Sequence, residues 1–214
     1  AIDRISYLVC RDCARDNIRY VELRFSPSFM TLENRQSWRE LIQHVLRGTL
    51  RAEKEFDIET GLIVGVSRSN PIAKAFEIVE IAEEYCGLGA VGIDLFGDEA
   101  AYPPELFTAA FRAAVESGLN ITVHAGEVGG ETNVRVAAEK LGAQRIGHGV
   151  RIVNDPELME WLKGRGIPLE ICLTSNVKTQ TVPSLAEHPV RRLFDSGIRL
   201  SLSTDDPAIC DTTL

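Results

Sequence analysis

Apolar positions along this chain alternate between helical spacing and short blocks of β-branched and aromatic residues. Ile2, Ile5, Val9 and Cys13 fall on one face of a helix predicted over residues 2–16, which Asn17 ends. No capping residue precedes it, so its pattern is expected to continue from chain further upstream. Tyr20-Val-Glu-Leu-Arg-Phe25 alternates as a strand and is closed by Ser26-Pro27. A second helix runs from about Ser37 to Phe56, with Trp38, Leu41, Ile42, Val45 and Leu46 on one face, and Gly61 to Val66 follows as an apolar strand. Asn70-Pro71 offers a capping side chain and a proline at the first helical position. Ile72, Phe76, Val79 and Cys86 form the expected buried stripe of that helix, which Gly87 ends.

The rhythm continues with a strand at Ala90–Leu95, a helix at Pro103–Ser117 and a strand at Asn120–Val123. A shorter helix at Val134–Leu141 leads to the strand Arg145–Gly147, and Asp155-Pro156 caps a helix through Lys163. Pro168–Leu173, a helix near Pro189–Ser196 and a final strand Arg199–Ser203 complete the series. Each strand after the first is reached through a helix or helical turn, so a parallel sheet with right-handed crossovers is expected.

Chemistry then selects among parallel folds. No strand is followed by GxGxxG or GxxxxGK[ST]. Polar residues gather instead after five strands, as Gly97-Asp98-Glu99, His124 with Glu127, His148, Thr174-Ser175-Asn176 and Asp205-Asp206. An open sheet gathers its site at one crevice, whereas an α/β barrel collects residues from many strand ends. The expected fold is therefore a (β/α)8 TIM barrel with one strand unaccounted for, formed as one domain over residues 1–214.

Composition adds limits. The 214 residues are 44% hydrophobic and 25% charged, ordinary for a globular chain. A net charge of −8 argues against nucleic acid and anionic membranes as partners, and no apolar run is long enough to span a bilayer. Five scattered cysteines, Cys10, Cys13, Cys86, Cys172 and Cys210, fit reduced thiols in a cytoplasmic compartment. Cys10-x-x-Cys13 has no second CxxC and reads as core packing.

In Ile121-Thr-Val-His-Ala-Gly-Glu127, Ala125-Gly126 permits the turn that would let His124 and Glu127 converge. With His148, Asp205 and Asp206 they make a plausible hydrolytic metal site, whose imidazole and carboxylate groups suit zinc. Zinc there would activate a water, a second histidine could hold or deprotonate that water, and a protonated glutamate could donate to a substrate. Taken singly, His148 also reads as a hydrogen-bonded strand-end imidazole, and Asp205-Asp206 as a solvated turn before Pro207.

The chain resembles the adenosine deaminases in their bacterial-type form. The resemblance is carried, in order, by Tyr20-Val-Glu-Leu-Arg-Phe-Ser-Pro27, Gly92-Ile-Asp-Leu-Phe-Gly-Asp-Glu99 and Thr122-Val-His-Ala-Gly-Glu127. Arg145-Ile-Gly-His-Gly-Val-Arg151, Cys172-Leu-Thr-Ser-Asn176 and Ser203-Thr-Asp-Asp-Pro207 continue it. The resemblance implies that His124 and Asp205 ligate Zn2+, that Glu127 donates a proton to purine N1, and that His148 orients or deprotonates the zinc-bound water, which Asp205 also contacts. It further implies that Asp206 hydrogen-bonds purine N7 and that Gly97 offers its backbone N–H to N3. The implied reaction is hydrolytic deamination of adenosine and 2′-deoxyadenosine to the inosine nucleosides and ammonia, in purine salvage. The partner is then a small-molecule purine nucleoside; nothing in the sequence fixes an oligomeric state.

The family's first barrel strand ends in a His-x-His pair, which this sequence does not contain; its other histidines are His44, mid-helix, and His188, just before a helix. His44 is expected to be a surface or packing residue and His188 incidental to its helix start. The chain is thus expected to hold strands two to eight of eight, and as 214 residues neither to hold zinc tightly nor to deaminate adenosine. Two alternatives accompany this reading. One is an adenine or N6-substituted-AMP deaminase of the same superfamily, since Thr174–Val182 fits several relatives. The other is a metal-free, non-catalytic purine-binding remnant.

Overall fold

The computed structural model describes residues 1–30 and 37–214. The chain order is α1 (Ile2–Arg15), β1 (Tyr20–Phe25), α2 (Pro27–Met30), α3 (Trp38–Glu55), β2 (Glu59–Ser67), α4 (Ile72–Glu84), β3 (Ala90–Phe96), α5 (Thr108–Glu116) and β4 (Asn120–Ala125). It continues with α6 (Glu131–Lys140), β5 (Arg145–His148), α7 (Pro156–Arg165), β6 (Leu169–Ile171), α8 (Leu173–Lys178), α9 (Val190–Asp195), β7 (Leu200–Leu202) and α10 (Pro207–Cys210). Short 3-10 turns fill Pro104–Phe107, Val150–Asn154 and Leu185–Glu187.

The seven strands lie in sequence order and pair in parallel with their successors. Side chains prove that the sheet curls. Arg24 on β1 is hydrogen-bonded to Glu170 on β6, and Arg145 on β5 reaches Glu22 on β1 at 2.5 Å. In a flat sheet β1 and β6 would stand roughly 24 Å apart at about 4.8 Å per strand, far beyond an arginine's reach. The arc is the TIM-barrel type of α/β fold, with β1 and β7 each paired on one side only among the described residues. Its concave interior holds Glu22, Arg24, Asp94, Thr122, Arg145 and Glu170 in one network of ion pairs and hydrogen bonds.

The main core lies between the sheet and its outer helices. Leu62, Val64 and Val66 on β2, Ile93 and Leu95 on β3 and Ile121 and Val123 on β4 are buried against Phe107, Phe111 and Ile78. β2 is buried along nearly its whole length, as a parallel strand covered on both faces must be. Asp155 caps α7 as expected, its side chain accepting the Leu158 N–H. Ser37 and Glu40 form a reciprocal capping box at the start of α3.

Several expectations are corrected. The buried stripe of α4 is Ala75, Ile78, Val79 and Ala82, with Ile81 beside it; Ile72, Phe76 and Cys86 are exposed. The small size of the two alanines hides this face in a pattern read from large residues. In α1, Ser6 and Cys10 are buried while Ile5 and Val9 are exposed. Ser6 packs at Gly48, where an added Cβ would lie 2.0 Å from its Oγ, so α1 and α3 meet through small residues rather than the expected stripe. α4 begins at Ile72, and Asn70 does not cap it. The strand expected over Pro168–Leu173 stops at Ile171, because the chain turns into α8.

Candidate active site

β4 delivers His124 and Ala125 to its C-terminal end, and the neighbouring register pairs Ala125 with His148 on β5. The sheet thereby brings two histidines together, with ring centroids 5.1 Å apart. Gly126 then turns the chain at φ +69, where an added Cβ would also lie 2.7 Å from Val134 Cγ2. This turn sends Glu127 back toward the histidines, and its Oε2 lies 3.5 Å from His148 Nε2.

The turn is fixed from outside. The buried Glu99 carboxylate accepts backbone N–H groups from Gly126 at 2.9 Å, Glu127 and Val128 at 2.7 Å and Gly129 at 2.6 Å. Asn133 Nδ2 donates to the same carboxylate. The fully buried Arg68 donates to the His124 carbonyl at 2.7 Å, and Arg151 Nε to the Glu127 carbonyl at 2.7 Å. The backbone around both residues is thus held by charged donors and acceptors.

His148 and Asp205 share an uncommon backbone, with φ of +62 and +61 in the left-handed region. Such conformations persist where the surroundings over-determine them, and they cluster at functional sites. Asp205 Oδ2 stands 4.0 Å from His148 Nε2 and accepts the Ser175 hydroxyl at 2.8 Å. Burial, followed by the nearby His124, pushes His148 down to about 3, so its imidazole is neutral. Burial pushes the Glu127 carboxyl up; His124 opposes this and Asp205 adds to it. At His124, burial favours the neutral ring, but the Asp94 charge and hydrogen bond outweigh it and raise the pKa.

Asp94, buried on β3, holds His124 Nδ1 at 2.9 Å. That leaves Nε2 as the nitrogen available to a metal, the carboxylate–histidine arrangement common behind metal-ligating imidazoles. With Asp205 the donor set suits zinc. His148, Cys172 and Asp205 also place one ligating atom each within 4.8 Å of one another. The thiol is a poor candidate, since burial, followed by the Asp205 charge, raises its pKa. Cys10 and Cys13 join no metal-ligating group among the described residues.

The structure therefore gathers His124, Glu127, His148 and Asp205. Gly97, at the end of β3 with φ +106, and the exposed Asp206 stand at strand ends on the same side, without a hydrogen bond to the cluster. Partial loss of water around its carboxyl, with the Asp205 charge beside it, raises the Asp206 pKa. His44 is half-buried on α3 and bonds Arg47. His188 is not incidental to its helix start: it is buried and bonded to Asn176 Oδ1 at 3.2 Å. Asp94, Arg24 and Glu170 were legible only as charges inside strands that a parallel sheet buries, and Glu99 only as an acid two residues after Gly97.

A family model described as adenosine deaminase matches residues 1–214. The adenosine deaminase of Klebsiella pneumoniae subsp. pneumoniae is 41% identical over 214 residues, covering 98% of this chain and 62% of the relative. Among solved structures, adenine deaminase from Arthrobacter aurescens superposes with a TM-score of 0.91 at 26% identity, over 98% of this chain and 63% of that one. An amidohydrolase from Burkholderia ambifaria with bound Zn gives 0.93 at 30%, over 99% and 59%. The N6-mAMP deaminase of Arabidopsis gives 0.87 at 32%, over 99% and 64%. The chain thus spans just under two thirds of the length of these relatives, and it belongs to the adenosine deaminase family.

Proposed function

We propose that these residues form most of the catalytic face of a zinc-dependent deaminase that converts adenosine and 2′-deoxyadenosine, with water, to the inosine nucleosides and ammonia. The observation that carries this is Glu127, a carboxyl with a pKa raised chiefly by burial, beside a neutral histidine at a strand end. His124 and Asp205 would hold the zinc, which when bound supplies an activated water near neutral pH. Glu127, whose pKa is raised, gives a proton to purine N1 as C6 is attacked. His148 orients the attacking water, Asp206 faces N7 and the Gly97 N–H faces N3. Five free cysteines fit a reducing, cytoplasmic setting and a role in purine salvage.

A second reading, adenine or an N6-substituted AMP as substrate, is favoured by the likeness to the Arthrobacter and Arabidopsis structures. Turnover of adenosine, adenine and AMP, followed by absorbance, separates the two in a zinc-loaded version completed to the relatives' length with a His-x-His-bearing N-terminal segment. Highest kcat/KM on adenosine supports the first reading. Preference for adenine or AMP supports the second, and no turnover of any of them supports a non-catalytic remnant.

A further inference from the structure

His148 is joined to a buried chain of polar groups that no step above has used. The Val190 backbone N–H donates to His188 Nδ1 at 3.1 Å. His188 Nε2 lies 3.2 Å from Asn176 Oδ1, and Asn176 Nδ2 lies 3.0 Å from His148 Nδ1. Asn176 is fully buried, and His188 and His148 nearly so.

A backbone N–H can only donate, so it fixes every proton along this chain. His188 Nδ1 must present a lone pair, which makes its neutral ring carry the proton on Nε2. Burial, which lowers the His188 pKa, agrees with a neutral ring. That Nε2–H requires an acceptor, so the Asn176 carbonyl oxygen faces His188 and its NH2 faces His148. The opposite amide orientation would need His188 to accept at both nitrogens, which only an imidazolate could do. His148 Nδ1 must then accept, and the ring proton sits on Nε2, the atom facing Glu127 and Asp205.

We propose that His188 and Asn176 are positioning residues that lock His148 in its Nε2–H form, so that it meets the site as a hydrogen-bond donor. The locked tautomer stands on the hydrogen-bond chain alone; its consequence for catalysis rests on the deaminase reading. A ring that presents N–H cannot take a proton at that atom, nor ligate a metal through it. His148 therefore holds the attacking oxygen by donating to it, and the proton released from water goes to the Asp205 carboxylate, because Glu127 already brings the proton it gives to N1. The same lock removes His148 from the set that could ligate zinc and leaves His124 and Asp205.

Long-range 1H–15N correlation spectra of the histidine-labelled, metal-free chain read this directly, since protonated and lone-pair ring nitrogens have well-separated shifts. Four histidines, assigned by single substitution, keep the spectrum tractable. The wild-type chain should show His148 and His188 both protonated on Nε2 alone. Asn176→Asp, whose carboxylate accepts from both rings, should move the His148 proton to Nδ1. His188→Ala, which frees the amide to turn, should leave His148 as a mixture of forms. A wild-type His148 protonated on Nδ1 overturns the proposal, whether or not either variant folds. So does an Asn176→Asp chain that folds and keeps the proton on Nε2 alone. Failure of deaminase turnover with this signature intact would count against the functional reading and not against the lock.

Discussion

The Glu99 carboxylate accepts the backbone N–H of Glu127 at 2.7 Å, and with it the three other N–H groups between Gly126 and Gly129. A carboxylate at the end of one strand thus shapes the turn that aims the carboxyl at the end of the next. The relationship is electrostatic as well as geometric, since a buried charge is tolerable only when its oxygens are satisfied.

Glu99→Gln keeps the shape and loses the charge, and its amide NH2 must confront at least one backbone N–H. The expected cost is about 1–3 kcal/mol of stability. Urea unfolding measures it, and hydrogen exchange should show faster exchange of the amides at 126–129 with β4 itself unaffected. Unchanged exchange at those four amides would mean that the turn forms without Glu99.

Stability of the metal-free chain should fall as the pH drops below about 6.5, the pKa of an unperturbed histidine. His148 is pushed down to about 3, chiefly by burial, and burial lowers His188 as well. Between those limits the unfolded chain binds protons that the folded chain refuses, so acid favours unfolding. Below pH 6.5 both states hold the His124 proton, so that residue adds no slope there, whereas Glu127, with its raised pKa, opposes the trend where the folded chain takes up its proton first. His148 alone sets a limiting slope of about 1.4 kcal/mol per pH unit. From pH 6.5 to 5, urea midpoints should fall more steeply in the wild type than in His148→Gln. Parallel profiles would show that His148 is not buried neutral.

Asp206→Ala should weaken purine recognition more than metal binding. If its carboxyl meets N7, truncation leaves that ring nitrogen unpaired at a cost of about 1–3 kcal/mol. An analogue with carbon in place of N7 should then be discriminated less by the variant than by its parent in the completed enzyme. Equal discrimination by both would remove Asp206 from that edge of the base.

Much of this architecture was legible in the chain because each strand carries apolar residues on the face it turns to the outer helices. Tyr20–Phe25 appears with the predicted bounds, and the strand ends at His124 and His148 fall where the motifs place them. Helix faces built from small residues were not legible. Ala75 and Ala82 flank Ile78 and Val79 on the buried side of α4, and Ser6 meets Gly48 by close approach of α1 to α3. α8 escaped notice because Thr174, Ser175 and Asn176 are weak helix formers in a six-residue segment. The residues that support the site escaped for a different reason: Glu99, Asp94 and His188 act through long-range hydrogen bonds, and no local pattern records those.

The central claim is that Glu127 delivers the proton that lets water displace ammonia from the purine. Glu127→Gln in the zinc-loaded, completed enzyme tests it, with metal content and adenosine turnover measured on the same sample. An amide can still hydrogen-bond N1 but cannot protonate it, so bound zinc should be unchanged while kcat falls by about 10²–10⁴. Turnover close to that of the parent, at full zinc occupancy, would contradict the account.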